Sequence, residues 1–229
     1  MSRTDLDRFL RLLKRAPSGA VFNPWWAVDK ANDLARSAPM IRRQQLRVYL
    51  QERCGRAKIA LIGEALGYRG GHFTGIPMTS ERLLLGRSKS IGINPNDFFA
   101  QLKPRRTSKP DKCPDGFSEP TATIVWGTLL KLGLLPKEFV LWNAFPWHPF
   151  DPRRGTLSNR IPNNSEQAAG LPVLNTFLEL LPCERVVALG RIATAQLGKI
   201  DVRAHCVRHP ASGGAKLFRQ HIADFLQAL

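Results

Sequence analysis

Three short segments hold the side chains best suited to chemistry. The first, Gly63-Glu64-Ala65-Leu66-Gly67-Tyr68-Arg69-Gly70-Gly71-His72-Phe73, follows the apolar run Ile59-Ala60-Leu61-Ile62, which reads as a buried strand. Glycines at a strand exit let backbone N–H groups approach a ligand closely, and this loop also brings a carboxylate, a tyrosine and a phenylalanine. The second is Asn143, directly after Phe139-Val140-Leu141-Trp142; the third, His209-Pro210-Ala211-Ser212-Gly213-Gly214, follows His205-Cys206-Val207-Arg208. If these strands share one sheet, a carboxylate, a carboxamide, an imidazole and an aromatic ring meet at one edge. Such a set combines acid–base, hydrogen-bonding and stacking capacity.

The segments need a scaffold that ends several strands on one side. Helical periodicity falls at about 4–15, 40–53, 80–87, 94–103, 120–133, 165–181, 191–198 and 213–228. Between these lie apolar runs of strand length at 57–62, 138–142, 185–189 and 202–207. Strands rich in Ile, Leu and Val that alternate with helices predict an α/β fold with a parallel sheet covered on both faces, because parallel neighbours need a crossover connection. Ligands of such sheets bind beyond the carboxyl ends of the strands, where all three segments fall. Two polar, basic stretches, 104–120 and 147–164, break the alternation and read as surface loops beside the site. With no internal repeat or domain boundary in view, residues 1–229 are expected to form one domain with a helical N-terminal extension at about 1–55.

Composition narrows the partner. The 229 residues are 43% hydrophobic with 5 Trp and 12 Phe, enough for a substantial core. Lys and Arg outnumber Asp and Glu by 34 to 18, a net charge of +16, which predicts a polyanionic partner, most commonly nucleic acid. Cys54, Cys113, Cys183 and Cys206 are far apart with no C-x-x-C pair, which argues against a zinc knuckle and against a disulfide-stapled secreted domain. Cys206 inside an apolar strand and Cys183 at a helix end read as inert core thiols, and neither a metal nor another cofactor is expected. No apolar run is long enough to span a bilayer. Residues 1–15 place Leu6, Phe9, Leu10 and Leu13 on one face of a basic helix, but they include Asp5 and Asp7 and lack the apolar stretch of a signal peptide. The expectation is a monomer in the cytoplasm, nucleoid-associated if the source is prokaryotic.

The three segments together resemble the uracil-DNA glycosylase superfamily: G-E-A-L-G-Y after the first strand with Phe73-Thr74-Gly75 following, N-A-F-P-W-H after the second, and R-H-P-A-S-G-G near the end. The resemblance covers about residues 57–222 and is closest to the branch whose first motif reads G-E-[AG]-P-G rather than G-Q-D-P-Y-H. It implies a three-layer α/β/α sandwich around a four-stranded parallel sheet, and hydrolysis of the N-glycosidic bond of uracil, or a related deaminated base, flipped out of DNA to leave an abasic site.

The same resemblance assigns roles. Cleaving a bond from a sugar to a pyrimidine leaves positive charge on the sugar and negative charge on the base. His209 would donate to uracil O2 as that charge develops, and losing such a donor typically costs a factor of about 10² to 10³. Asn143 would pair with O4 and N3–H, an order that cytosine does not match. Phe73 would stack on the base, with Ala65, Gly67 and Tyr68 around it, and Glu64 would orient or deprotonate water or stabilise the sugar cation. Each residue has a plainer reading: a strand-capping histidine, a turn asparagine, a core phenylalanine, a carboxylate that caps a helix or binds an arginine. Two positions depart from the pattern. Ala65 stands where the G-Q-D-P-Y-H branch has its aspartate, and Leu66 replaces a proline, which puts the pose of residues 65–68 in question. The G-E-[AG]-P-G branch holds an iron–sulfur cluster, but this chain lacks the close cysteine pair such clusters use, so a cluster-free relative is expected.

DNA would be held by backbone and hydroxyl groups of Thr79 and Ser80, by the small-residue turn Ser212-Gly213-Gly214 with Lys216 behind it, and by Arg105, Arg106, Lys109 and Lys112 on a flexible loop. His72, Trp147 and His148 receive no role. Two alternatives stand beside catalysis: a DNA-binding module of the same fold that has lost activity, motivated by Ala65 and Leu66, and a nucleotide-binding α/β hydrolase, motivated by the glycine-rich loop alone.

Overall fold

The computed structural model describes residues 3–88 and 91–228. In chain order they form α1 (Arg3–Leu12), β1 (Val21–Phe22), α2 (Ala38–Arg53), β2 (Ile59–Ala65), α3 (Gly71–Thr74), α4 (Glu81–Leu84), α5 (Pro95–Phe98) and α6 (Pro120–Lys131). They continue with β3 (Phe139–Phe145), β4 (His148–Pro149), α7 (Asn164–Leu180), β5 (Arg185–Leu189), α8 (Arg191–Gly198), β6 (His205–Val207) and α9 (Ala215–Gln227).

The apolar runs become a four-stranded parallel sheet in the order β3-β2-β5-β6, flanked by helices. β2 and β3 run as neighbours from Ile59 beside Phe139 to Ala65 beside Phe145, so Gly63 lies next to Asn143. All seven residues of β3 and the first five of β2 are buried, which is why these strands read as continuous apolar runs without alternation. β2 leads to one sheet edge and β5 to the other, so the topological switch lies between them, with the carboxyl ends of the strands on one side. The apolar stripe of α1, Leu6, Phe9 and Leu10, with Leu13 just beyond its end, is buried in the same core as the sheet, so residues 3–55 pack into the body of the fold. No described helix is long and apolar enough to cross a membrane.

Several expected elements change. The helix expected at 94–103 is a single turn, α5, because Phe99 adopts extended backbone and the Glu52 carboxylate takes the Ala100 N–H. The first strand runs three residues past Ile62, to Ala65, and carries Glu64 with it, whereas the last contracts to His205–Val207. At that sheet edge Cys206 is exposed, contrary to its expected burial as a core thiol. A two-stranded antiparallel pair, β1 with β4, is too short to leave a periodic trace. The 104–120 stretch is tied down: the Arg106 guanidinium donates to carbonyls of Ser108, Lys109, Cys113 and Pro114, and Lys109 Nζ donates to those of Lys30 and Ala31. Those two cations are spent inside the protein, leaving Arg105 and Lys112 exposed.

Arg53 closes the end of the sheet away from the site. It is fully buried, its guanidinium carbon lies 3.7 Å from the Tyr49 ring centroid, and it donates to the carbonyls of Tyr49, Asp97, Phe98, Pro136 and Phe139. Replacing this fork with an apolar chain strands buried acceptors, each costing about 1–3 kcal/mol. Arg53→Met is therefore expected to lower the urea unfolding midpoint by an amount equivalent to roughly 3 kcal/mol or more; a midpoint unchanged from wild type would show that water replaces the guanidinium at no cost.

Candidate active site

At the carboxyl ends of β2 and β3, and beneath the turn after β6, lies a cavity of about 200 Å³. Its wall includes Glu64, Ala65, Gly67, Asn143 and His209, bringing five of the site residues expected from the sequence into one place. Gly63, Leu66, Met78, Glu119, Thr121, Asn159, Arg160 and Ala211 complete it.

Asn143 is 1% exposed, and both Oδ1 and Nδ2 of its carboxamide lack any hydrogen-bond partner. It is therefore not the turn asparagine that bonds its own backbone. Buried amides almost always find partners, so an unpaired donor and acceptor side by side on a cavity wall form a preset hydrogen-bonding edge. The parallel register sets the amide against Gly63, where a Cβ would lie 2.5 Å from Oδ1. Only glycine leaves the carboxamide in this pose.

His209 is fixed in a defined tautomer. Its Nδ1 accepts the Ala211 N–H at 3.1 Å, which places the proton of the neutral ring on Nε2 as a donor. Burial, and then the charge of Arg208, lower its pKa, so the ring is a neutral donor rather than a cation. Gly190, with φ of 86°, allows the close approach: a Cβ there would lie 3.2 Å from that of His209. Glu64, half-buried as the penultimate residue of β2, has its pKa raised by desolvation and engages no described hydrogen-bond partner. A carboxylate so placed gains by meeting a positive charge or a water it can deprotonate.

The loop pose questioned by the missing proline is held another way. Leu66 donates its N–H to the Trp147 carbonyl at 3.3 Å, a bond proline cannot make, and its side chain packs against Gly71.

Other expected residues go elsewhere. Phe73 is fully buried and does not line the cavity; its ring stacks on Phe117 at 4.5 Å between centroids and tilts against His72 at 4.4 Å, so the core reading is the one realised. Tyr68 turns outward, where its hydroxyl accepts from Arg69 Nε and its ring meets Phe117 edge-on. Thr79 and Ser80 are fully buried, with Thr79 Oγ1 bonded to the Pro77 carbonyl and the Trp126 indole, so neither reaches a surface where a phosphate could bind. In the third segment Ser212, Gly213 and Lys216 are exposed beside the cavity mouth while Gly214 is buried, and Ser212 and Gly213 take φ of 51° and 76°.

The unassigned residues have structural work. His72 and His148 are fully buried with their Nδ1 atoms 2.9 Å apart; His148 Nε2 lies 2.8 Å from the Ser158 carbonyl and His72 Nε2 lies 3.2 Å from Asp29. They tie α3 to the loop that carries Asn159. Burial and the neighbouring His72 push His148 down to about 3, which keeps that ring neutral. Trp147 donates its indole N–H to the Leu13 carbonyl at 2.8 Å, fastening α1. Among the described residues no three His, Cys, Asp or Glu side chains are grouped to hold a metal ion, and the four cysteines lie on α2's end, two separate loops and an edge strand, an arrangement that does not fit an iron–sulfur cluster.

Missed by sequence reasoning are Glu119, Asn159 and Arg160, which no strand end announces. Asn159 Oδ1 accepts the Tyr68 N–H at 3.0 Å, and Arg160 is held by Glu166 through two contacts of 2.6 Å. Also missed is Leu217, a 48% exposed leucine in the first turn of α9.

Against known proteins, the family model described as "Uracil DNA glycosylase superfamily" matches residues 51–229. The crystal structure of wild-type Pedobacter heparinus SMUG2 shares the fold, with a TM-score of 0.62 over 98% of this chain and 97% of that one at 13% identity. No curated protein matches the chain.

Because the Asn143 amide has room only beside a glycine, Gly63→Ala is expected to displace it. In ¹H–¹⁵N spectra the Asn143 side-chain resonances should move while the dispersed backbone pattern of a folded protein is kept; unmoved resonances would show that the amide does not depend on Gly63.

Proposed function

The chain belongs to the uracil DNA glycosylase superfamily, and from that premise we propose that it hydrolyses the N-glycosidic bond of uracil extruded from DNA, without a cofactor, leaving an abasic site. The observation that carries this reading is the unpaired Asn143 carboxamide on the wall of a cavity shared with His209 and Glu64. Oδ1 accepts from N3–H and Nδ2 donates to O4; cytosine reverses both partners and leaves the buried amide facing like groups.

As the C1′–N1 bond breaks, its electron pair passes to the base and spreads onto O2 and O4. The Nε2–H of His209 meets O2, and the neutral ring offers that donor without a desolvated cation. The sugar becomes cationic beside Glu64, whose carboxylate is stabilised by that charge and takes the proton from the water that attacks C1′. No lysine lines the cavity among the described residues, which supports water rather than an amine as the nucleophile. Ala65, Leu66 and Met78 supply apolar contact to the base; stacking on Phe73 would require Phe117 to move.

A second hollow of about 510 Å³ adjoins the cavity at Glu64 and His209 and carries Arg191, Arg208 and His221. Its cations suit the flanking phosphates, and the exposed Leu217 beside Ser212-Gly213 suits the gap left by an extruded nucleotide. The reading of an inactive DNA-binding module, motivated by Ala65 and Leu66, keeps its ground at Ala65 but loses part of that at Leu66, whose N–H fastens the loop to the Trp147 carbonyl.

Two outcomes test the proposal. An oligonucleotide carrying one uracil, treated with protein and then alkali, should be cut at that base, and Asn143→Ala should lower kcat/KM by about 10²-fold or more; binding without cutting would leave only the module. With Leu217→Ala, activity on duplex should fall well below that on single strand, because only the duplex leaves a stacked gap to fill; equal losses on both would remove Leu217 from that role.

A further inference from the structure

The glycine turn of the first motif leaves a space that a different element fills. Gly67 lines the cavity and Tyr68 points away, so neither puts a side chain beside a bound base. A Cβ on Gly67 would lie 2.7 Å from Oε1 of Glu119, and one on Gly70 would collide with Oε2. Glu119 stands at the N-cap of α6 yet makes no capping hydrogen bond there. Its stem is partly exposed, but its carboxyl turns inward against residues 67–70, and Oε2 is buried without a partner.

Sheet order separates the two groups that would hold the base. His209 follows the edge strand β6, and Asn143 sits on β3 at the opposite edge. A uracil with O2 toward His209 and its N3–H and O4 toward Asn143 leaves its C5 side to the remaining wall, which includes Gly67, Glu119 and Asn159. Resting on the uracil reading above, we propose that Glu119 is the specificity-determining residue of this wall: it closes the space beside C5 against the methyl group of thymine and donates its carboxyl O–H to O4.

The wall therefore works in one protonation state. Burial pushes the Glu119 carboxyl up to about 7, so the O–H is present below neutrality. The charged and titratable groups facing it are Glu64 and His209 across the cavity, Arg69 on the glycine turn, bonded to the Tyr68 hydroxyl, and Arg160, committed to Glu166. None of them is within ion-pairing distance of the Glu119 carboxyl among the described residues. As pH rises through about 7 the donor is lost and the carboxylate opposes the lone pairs of O4, so uracil cleavage falls.

The test is kcat/KM on matched oligonucleotides carrying one uracil or one thymine opposite guanine, for wild type, Glu119→Ala and Glu119→Gln, across pH. Glu119→Ala should raise the thymine-to-uracil ratio by about tenfold or more, whereas Glu119→Gln, which keeps both bulk and an N–H donor, should hold the wild-type preference and lose the alkaline fall. An unchanged ratio in Glu119→Ala would overturn the assignment, as would an alkaline fall that persists in Glu119→Gln, and the second arm stands if the alanine variant does not fold. Absence of uracil cleavage by the wild type would instead remove the glycosylase reading itself, and this inference with it.

Discussion

A carboxamide buried at the end of a parallel strand, with nothing to bond, is the constraint around which this molecule is arranged. Leaving such a donor and acceptor unpaired costs about 1–3 kcal/mol for each group, and the fold must offset that elsewhere. It does so with a fully buried β3, paired along its length with β2, and with aromatic packing in which Trp142, the residue before Asn143, stacks on Phe177 at 4.7 Å. The position of the amide is a matter of register: Gly63 faces Asn143, and one residue's slip would set a side chain where the amide now lies. An unsatisfied group held this firmly contributes to binding because no reorganisation is needed when a complementary edge arrives.

The same economy appears in the imidazole. His209 spends Nδ1 on the Ala211 N–H and keeps Nε2–H for the cavity, and burial beside Arg208 holds it neutral. A neutral donor leaves the charge of the half-buried Glu64 uncancelled by the imidazole, and that charge has the sign a cationic sugar requires. Much of the chain's excess of 34 cations over 18 acidic residues lies outside this pocket, and part is structural: Arg42 is paired with Asp33, Arg53 with five carbonyls, Arg106 with a loop. Net charge alone therefore overstates the surface available to a polyanion.

What could be read from the sequence was what the strands carry. β2 and β3 announce themselves by apolar residues, β6 more faintly by the run 202–207, and a parallel sheet must gather their carboxyl ends, so Glu64, Asn143 and His209 were legible together. Side-chain direction was not. Phe73 among glycines looked like a loop aromatic, but α3 turns its ring into the core against Phe117; Thr79 and Ser80 looked like a helix start open to solvent, but the 104–120 stretch covers them, with Glu81 accepting the N–H groups of Thr107 and Ser108. Glu119 had no local signal at all. It reads as an ordinary residue before a helix, and its place on the cavity wall follows only from the absence of side chains at Gly67 and Gly70, a long-range complementarity that no window of sequence contains.

Where the base sits decides whether the Asn143 edge and the His209 donor act on uracil together. A crystal structure with an oligonucleotide carrying 2′-fluoro-2′-deoxyuridine, whose fluorine disfavours the sugar cation and so slows cleavage, would show it. The uracil should lie in the cavity with Asn143 Oδ1 and Nδ2 each at about 2.9 Å from N3 and O4, and with His209 Nε2 at about the same distance from O2. A base bound with that edge turned away from Asn143, or held outside the cavity altogether, would contradict it.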